Sequence, residues 1–149
     1  METIQYKYST FRTSFLTLFI FAFLIFITWG AITSTGDDRL VTIVGVLLLA
    51  CLLFYVCNQL FLPMLRGETI LEIDSEKLNY TLKDLTLYWK DIDDIDYEDF
   101  DMSKYNSHSF RIRFTMKESG SEKRISTWFI AGDNRGIFDS ILNTFLKYR

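Results

Sequence analysis

Two apolar runs without a single charge, Phe15–Ile32 and Leu40–Leu62, occupy most of the first 66 residues, and Thr33–Arg39 (TSTGDDR) separates them. An uncharged run of this length suits a bilayer, because about 20 helical residues cross about 30 Å of hydrocarbon. The eleven Phe, Leu and Ile residues between positions 15 and 27 favour insertion of the first run by roughly 3 to 6 kcal/mol. The pattern therefore predicts a transmembrane hairpin over residues 1–66, with spans at about 15–32 and 40–62. A cleavable signal peptide is the rival reading, and Lys7 and Arg12 upstream suit it. Its apolar core is ordinarily only about 7–15 residues long, and no small-x-small cleavage site follows here.

From Gly67 the apolar period becomes two. Leu71 and Ile73 alternate with Glu72 and Asp74; Leu78, Tyr80 and Leu82 with Asn79, Thr81 and Lys83; Leu85, Leu87 and Trp89 with Thr86, Tyr88 and Lys90. Phe110, Ile112, Phe114 and Met116 repeat the pattern, and after a turn at Glu118–Ser121 a strand runs through Ile125 to Ile130. Alternation of this kind marks strands with one buried face, and the short turns between them an antiparallel meander. Over Ile95–Met102 the phase slips: Ile95 and Tyr97 share one register, Phe100 and Met102 the other, so a bulge is expected near Glu98–Asp99. At the tail, Ile137, Phe138, Ile141, Leu142, Phe145 and Leu146 form a helical stripe, with Asp133 as its expected N-cap. Residues 67–149 thus read as an α+β domain of six or seven strands closed by one C-terminal helix.

Charge orients this arrangement. Lys7 and Arg12 precede the first span, and Arg66, Lys77 and Lys83 follow the second. The connecting loop holds only Arg39, beside Asp37 and Asp38. The positive-inside rule then puts both termini in the cytoplasm of a multi-pass inner-membrane protein, with Trp29 at the outer interface. Residues 67–149 carry 12 Lys and Arg against 16 Asp and Glu, a net of −4. That balance argues against nucleic acid and against broad adhesion to anionic lipid. Cys51 and Cys57, the two cysteines, lie about 240° apart around one helix and suit neither a disulfide nor a metal site. The absence of cysteine beyond Cys57 fits a reducing compartment.

The segment LTLYWKDIDDI, with Trp89, Asp91, Ile92 and Ile95, resembles a strand found in bacterial pleckstrin-homology-like (PH-like) domains. A strand meander closed by one helix, directly after a transmembrane hairpin, resembles the YcxB-like and related bacterial membrane proteins. The resemblance implies an inner-membrane protein with a cytoplasmic PH-like barrel and no catalytic residues. Six strands are counted here where that barrel has seven, so either one strand escapes the pattern or the barrel is truncated.

Candidate chemistry is sparse. Asn58 and Gln59 are the polar residues of the second span, placed either at headgroup level or as an intramembrane contact across the hairpin or between protomers. The cluster Asp91, Asp93, Asp94, Asp96, Glu98, Asp99 and Asp101 fails as a calcium loop, because Asp96 stands where glycine is needed and Met102 where a bidentate glutamate is needed. It reads instead as a solvated strand face, with Arg111 and Arg113 available as cross-strand partners. The first hairpin loop, Asp74–Lys77, offers one cation against two anions, which argues against phosphoinositide recognition. His108 reads as a strand-start residue. No nucleophile elbow, P-loop, dinucleotide fingerprint or zinc-protease motif occurs, so neither an enzyme nor a cofactor is expected. The expectation is a membrane-anchored interaction module that binds another protein or a second copy of itself, with Tyr88, Trp89, Trp128 and Ile130 as candidate contacts; the alternative for Trp89 and Trp128 is that both belong to the core. An immunity protein against a membrane-active toxin and an accessory subunit of a transport or channel complex are the alternatives.

Overall fold

The computed structural model describes residues 3–33, 35, 37–98 and 111–149. Asp99, Phe100, Asp101, Met102, His108 and Phe110 lie outside them, and with them the bulge expected at Glu98–Asp99. The chain is mixed α+β and forms two compact units. One joins the segment ending at Ser9 to Glu68–Arg149; the other is Thr10–Gly67.

The second unit is an antiparallel helical hairpin. Its first helix, α1, is Thr10–Thr33, and its second, α2, is Asp37–Val56. The second continues through a π-helical turn, Cys57–Phe61, into α3 at Leu62–Leu65. Pro63 explains that turn. It has no N–H, and in a regular helix its ring would strike the carbonyl four residues back. The wider coil, in which the Leu62 N–H donates to the Cys57 carbonyl five residues back, relieves the crowding just ahead of it. Both helices are long and apolar enough to cross a membrane: Thr10–Thr33 spans 24 residues and Arg39–Leu65 spans 27. Only 11% and 6% of their most apolar stretches are buried, so these are not core helices of a soluble fold.

Contact between the helices uses small side chains. A Cβ on Gly30 would meet the Thr42 side chain at 3.9 Å, and one on Gly45 the Ile27 side chain at 3.9 Å, ordinary van der Waals contact across the hairpin. The hydroxyls of Thr17 and Thr28 donate to the carbonyls of Thr13 and Leu24, four residues earlier, at 2.9 and 2.7 Å. Such bonds let a polar side chain live in an apolar helix.

The first unit holds seven strands among the described residues. The strand that escapes the alternation pattern is β1, Ile4–Lys7, which lies before the hairpin. The others are β2 (Thr69–Ile73), β3 (Lys77–Tyr80), β4 (Leu85–Tyr88), β5 (Ile92–Glu98), β6 (Arg111–Met116) and β7 (Glu122–Ser126); the C-terminal helix α4 is Asn134–Tyr148. They build two antiparallel sheets, ordered β1-β2-β3-β4 and β5-β6-β7. The domain thus begins before the hairpin, and the hairpin is an insertion between two neighbouring strands. The N-terminal segment belongs with the sheet because Ile4, Gln5, Tyr6 and Lys7 pair with Ile73, Glu72, Leu71 and Thr69.

Two bulges tune the inward faces. Tyr6 pairs with Leu71 but Lys7 with Thr69, leaving Ile70 as an extra residue, so Ile70 and Leu71 are both fully buried although adjacent. On β5, Ile92 pairs with Met116 and Asp94 with Thr115; the extra Asp93 brings Ile92 and Ile95, three apart, into the core. Some strands are shorter than the alternation suggests. After Tyr80 the chain turns through Thr81–Lys83, with Asp84 at φ 48°, which removes Leu82 from a strand. After Ser126 the chain turns again, and Ile130 forms a single bridge with Tyr8.

That bridge brings the free edge of the first sheet to the segment that follows the second. Side chains cover the open edge of β7: the Tyr80 hydroxyl donates to the Ser126 carbonyl at 3.0 Å, and Lys83 Nζ to the Arg124 carbonyl at 3.0 Å. These bonds occupy two carbonyls of the edge strand. α4 begins as expected, with the Asp133 carboxylate accepting the Gly136 N–H at 3.0 Å, and it buries Ile137, Ile141 and Phe145.

Candidate functional site

Register divides the described surface of the sheet unit into two ends. At one end the chain leaves β1 and returns to β2. Lys7 and Thr69 pair there, the Thr81 hydroxyl reaches the Thr69 carbonyl at 3.0 Å, and Ser126 and Ile130 complete the rim. We call this the junction end. The opposite end carries the Asp74–Lys77 turn, paired through Lys77 with Tyr88, and the Trp89–Asp91 turn, where the Lys117 N–H donates to the Asp91 carbonyl at 2.9 Å.

Trp89 organises the opposite end from inside. It is 1% exposed, so it is core and cannot be a surface contact. Its indole N–H donates to the Asp74 carbonyl at 2.8 Å, and its ring lies 6.4 Å from that of Phe145 on α4. The same ring therefore pins a turn and receives the helix, which is why a tryptophan stands at the corner between β4 and β5. The neighbouring turn is self-capped: the Asp74 carboxylate accepts the N–H groups of Glu76 and Lys77 at 2.7 and 2.8 Å. Tyr88 alternates outward from Trp89, is exposed, and has Lys90 Nζ 5.7 Å from its ring centre. It is the one residue of the Tyr88–Trp89 pair able to meet a partner.

The same division holds at the junction end. Ile130 is fully buried, because its bridge to Tyr8 closes the unit, and this removes it from the surface. Trp128 is exposed. The two exposed candidates, Tyr88 and Trp128, therefore stand at opposite ends of the unit and cannot form one patch.

Two acids of strand β5, Asp93 and Asp96, form ion pairs. Arg113 bridges Asp96 and Glu122, and Glu122 continues to Arg124 at 2.7 Å. Asp93 faces Arg149 at 3.7 Å. Such a ladder gives a solvated face with alternating sign. Among the described residues, no group of three or more His, Cys, Asp or Glu side chains could hold a metal ion. On the outer face of the first sheet, Gln5 donates to Glu72 at 3.0 Å and Thr86 to Asn79 at 2.9 Å. These are cross-strand amide, hydroxyl and carboxylate pairs, and none of these four side chains offers an activated nucleophile.

Two tyrosines near the junction end are perturbed. Burial pushes the Tyr80 phenol up to about 12, and the neighbouring Tyr8 adds to it. Tyr8 is raised by burial first and by the charge of Glu68 second. Both phenols are therefore neutral structural groups at physiological pH. In the hairpin, Asn58 Nδ2 donates to the Phe54 carbonyl on its own helix at 2.9 Å. Gln59 is exposed beside it.

No family model, no curated protein and no solved structure matches this chain.

Proposed function

We propose that this protein is a multi-pass protein of a bacterial inner membrane, and that its hairpin tethers a PH-like, non-enzymatic module that docks another protein on the cytoplasmic side. The observation that carries the reading is the pairing of β1 with β2 across the inserted hairpin. Two strands cannot hydrogen-bond to each other from opposite faces of a bilayer. The segments before and after the hairpin therefore share one side, as an even number of spans requires. The same pairing weighs against cleavage of the first helix, which would strip β1 from its sheet. The excess of Lys and Arg flanking the spans over the single Arg39 between them supports the cytoplasmic side.

Support for a PH-like module comes from seven strands in two sheets followed by one helix. The self-capped Asp74–Lys77 turn favours a protein over a phosphoinositide headgroup: its amides already bond a carboxylate of the turn itself. Tyr88 with Lys90, at the end away from the chain crossings, is the surface proposed for the partner, since an exposed aromatic is a frequent anchor of interfaces.

The test is a protease-protection experiment on the full chain with a tag at each terminus. In intact spheroplasts both tags should survive, and in inverted vesicles both should be removed. Survival of one tag and loss of the other in spheroplasts contradicts the topology. For docking, a photo-crosslinking residue at position 88 should yield a discrete adduct in cells that the same probe at position 119 does not.

A further inference from the structure

The turn after β7 is built against the usual chemistry of turns. The Ile130 N–H donates to the Thr127 carbonyl at 3.0 Å, closing a four-residue turn whose two central residues are Trp128 and Phe129. Turn centres ordinarily favour Gly, Pro, Asn, Asp and Ser. A Trp-Phe tip exposes costly apolar surface unless something other than water meets it. Trp128 is 42% exposed and Phe129 half-buried.

The position of this tip is fixed by two backbone hydrogen bonds to the Lys7–Ser9 segment, which together form the Tyr8–Ile130 bridge. The Ser9 N–H donates to the Phe129 carbonyl at 2.7 Å, and the Ala131 N–H to the Lys7 carbonyl at 2.8 Å; Tyr8 bridges Ile130. Ser9 immediately precedes Thr10, the first residue of α1. From Ser9 to Phe15, where the uncharged run begins, a helix rises about 9 Å. The headgroup layer is roughly 5–8 Å deep on each side of the hydrocarbon. The carbonyl of Phe129 is thus tied to the chain one residue ahead of α1, a helical rise from the uncharged run that is comparable to the depth of that layer.

We infer that the Trp128–Phe129 turn is an interfacial anchor: Trp128 inserts among the lipid headgroups and upper acyl chains of the bilayer that the hairpin crosses. The occupant is lipid, because the turn is continuous with the point where the chain enters its apolar run. Trp is also the side chain best suited to that zone, apolar in its rings and polar at its N–H. Cations flank the same crossing, with Lys7 and Arg12 on the way in and Arg66 on the way out, which complements anionic headgroups.

This inference rests on the membrane reading above, and the three tryptophans separate the two. The full chain is reconstituted in phosphatidylethanolamine and phosphatidylglycerol vesicles with bromine at a shallow acyl position, and tryptophan emission is recorded. Trp29→Phe leaves Trp128 and the buried Trp89; Trp29→Phe with Trp128→Phe leaves Trp89 alone; Trp128→Phe leaves Trp29 and Trp89. Expected is loss of most of the Trp128 component in brominated vesicles, obtained as the difference between the first two chains. Quenching of Trp29 with no quenching of Trp128 overturns the anchor and spares the membrane reading. No quenching of Trp29 overturns both. Trp128→Tyr replaces Trp128→Phe if the latter shifts Trp89 emission to the red, the sign of a disturbed core.

Discussion

The hairpin and the sheet unit solve the same problem with different solvents. In the hairpin, Thr13, Thr17 and Ile20 are the buried positions of α1, and large side chains such as Phe11, Phe15 and Phe26 point outward. The hydroxyls of Thr17 and Thr28 bond to carbonyls of their own helix, and helical backbone bonds are local, so its secondary structure needs few distant partners. The sheet unit does the reverse. Ile70, Leu78, Ile92, Phe114 and Ile125 are fully buried, and its closure depends on bonds between residues far apart in sequence, such as Tyr80 to Ser126 and Ser9 to Phe129. A chain can therefore fail in one unit and survive in the other, and each unit should respond to its own class of substitution.

The largest effect is expected from Trp89→Ala. Removing a buried tryptophan costs about 3–5 kcal/mol and orphans the Asp74 carbonyl. The sheet unit should lose protease resistance in detergent, while carbonate-resistant membrane retention through the hairpin persists. The mirror experiment is Leu24→Asp, at the middle of the first apolar run. A carboxylate there costs about 2.5–3.5 kcal/mol of insertion, so the fraction retained after carbonate extraction should fall. If Trp89→Ala released the chain from membranes as readily as Leu24→Asp, the contrast between the units would be wrong.

Alkali should act on the sheet unit through Tyr8 and Tyr80. Both phenols hold their protons more tightly when folded than the usual value of 10.0 allows. Above that value the unfolded state binds fewer protons, so stability falls as pH rises. It is fully present below pH 10 and is lost progressively towards about 12, the folded value of Tyr80. Near-ultraviolet circular dichroism against pH should show the loss, and Tyr80→Phe should flatten it. Smaller again is Asp133→Ala, which removes the cap of α4 and should lower stability by about 1 kcal/mol, read from the denaturant midpoint. Smallest is Arg113→Gln: its carboxylate partners are 54% and 41% exposed, and exposed pairs contribute about 0–1 kcal/mol.

The legibility of the chain followed the length of each pattern. Two long uncharged runs announce helices long enough for a bilayer, and the period-two segments around Leu78 and Ile112 announce strands. The stripe from Ile137 to Phe145 and the Asp133 cap were readable because helix ends carry local chemistry. Ile4–Lys7 was not. Four residues ahead of a span read as a cytoplasmic lead, although Tyr6 and Tyr8 alternate with Gln5 and Lys7, a short signal that could have found the strand. Trp89 and Ile130 looked like surface aromatics and aliphatics of a strand, but nothing local says which face a corner or a bridge turns inward.

What the order of residues determined by itself is the material of each part: hydrocarbon for one solvent, alternation for the other, a capped helix at the end. Which segments meet was decided only by tertiary structure. Pairing β1 with β2 across more than sixty intervening residues, bonding carbonyls of β7 with Tyr80 and Lys83, and holding a Trp-Phe turn beside Ser9 all depend on partners distant in sequence. Local periodicity encodes which side of an element is apolar. The identity of the surface it will cover is set by the closure of the whole sheet unit.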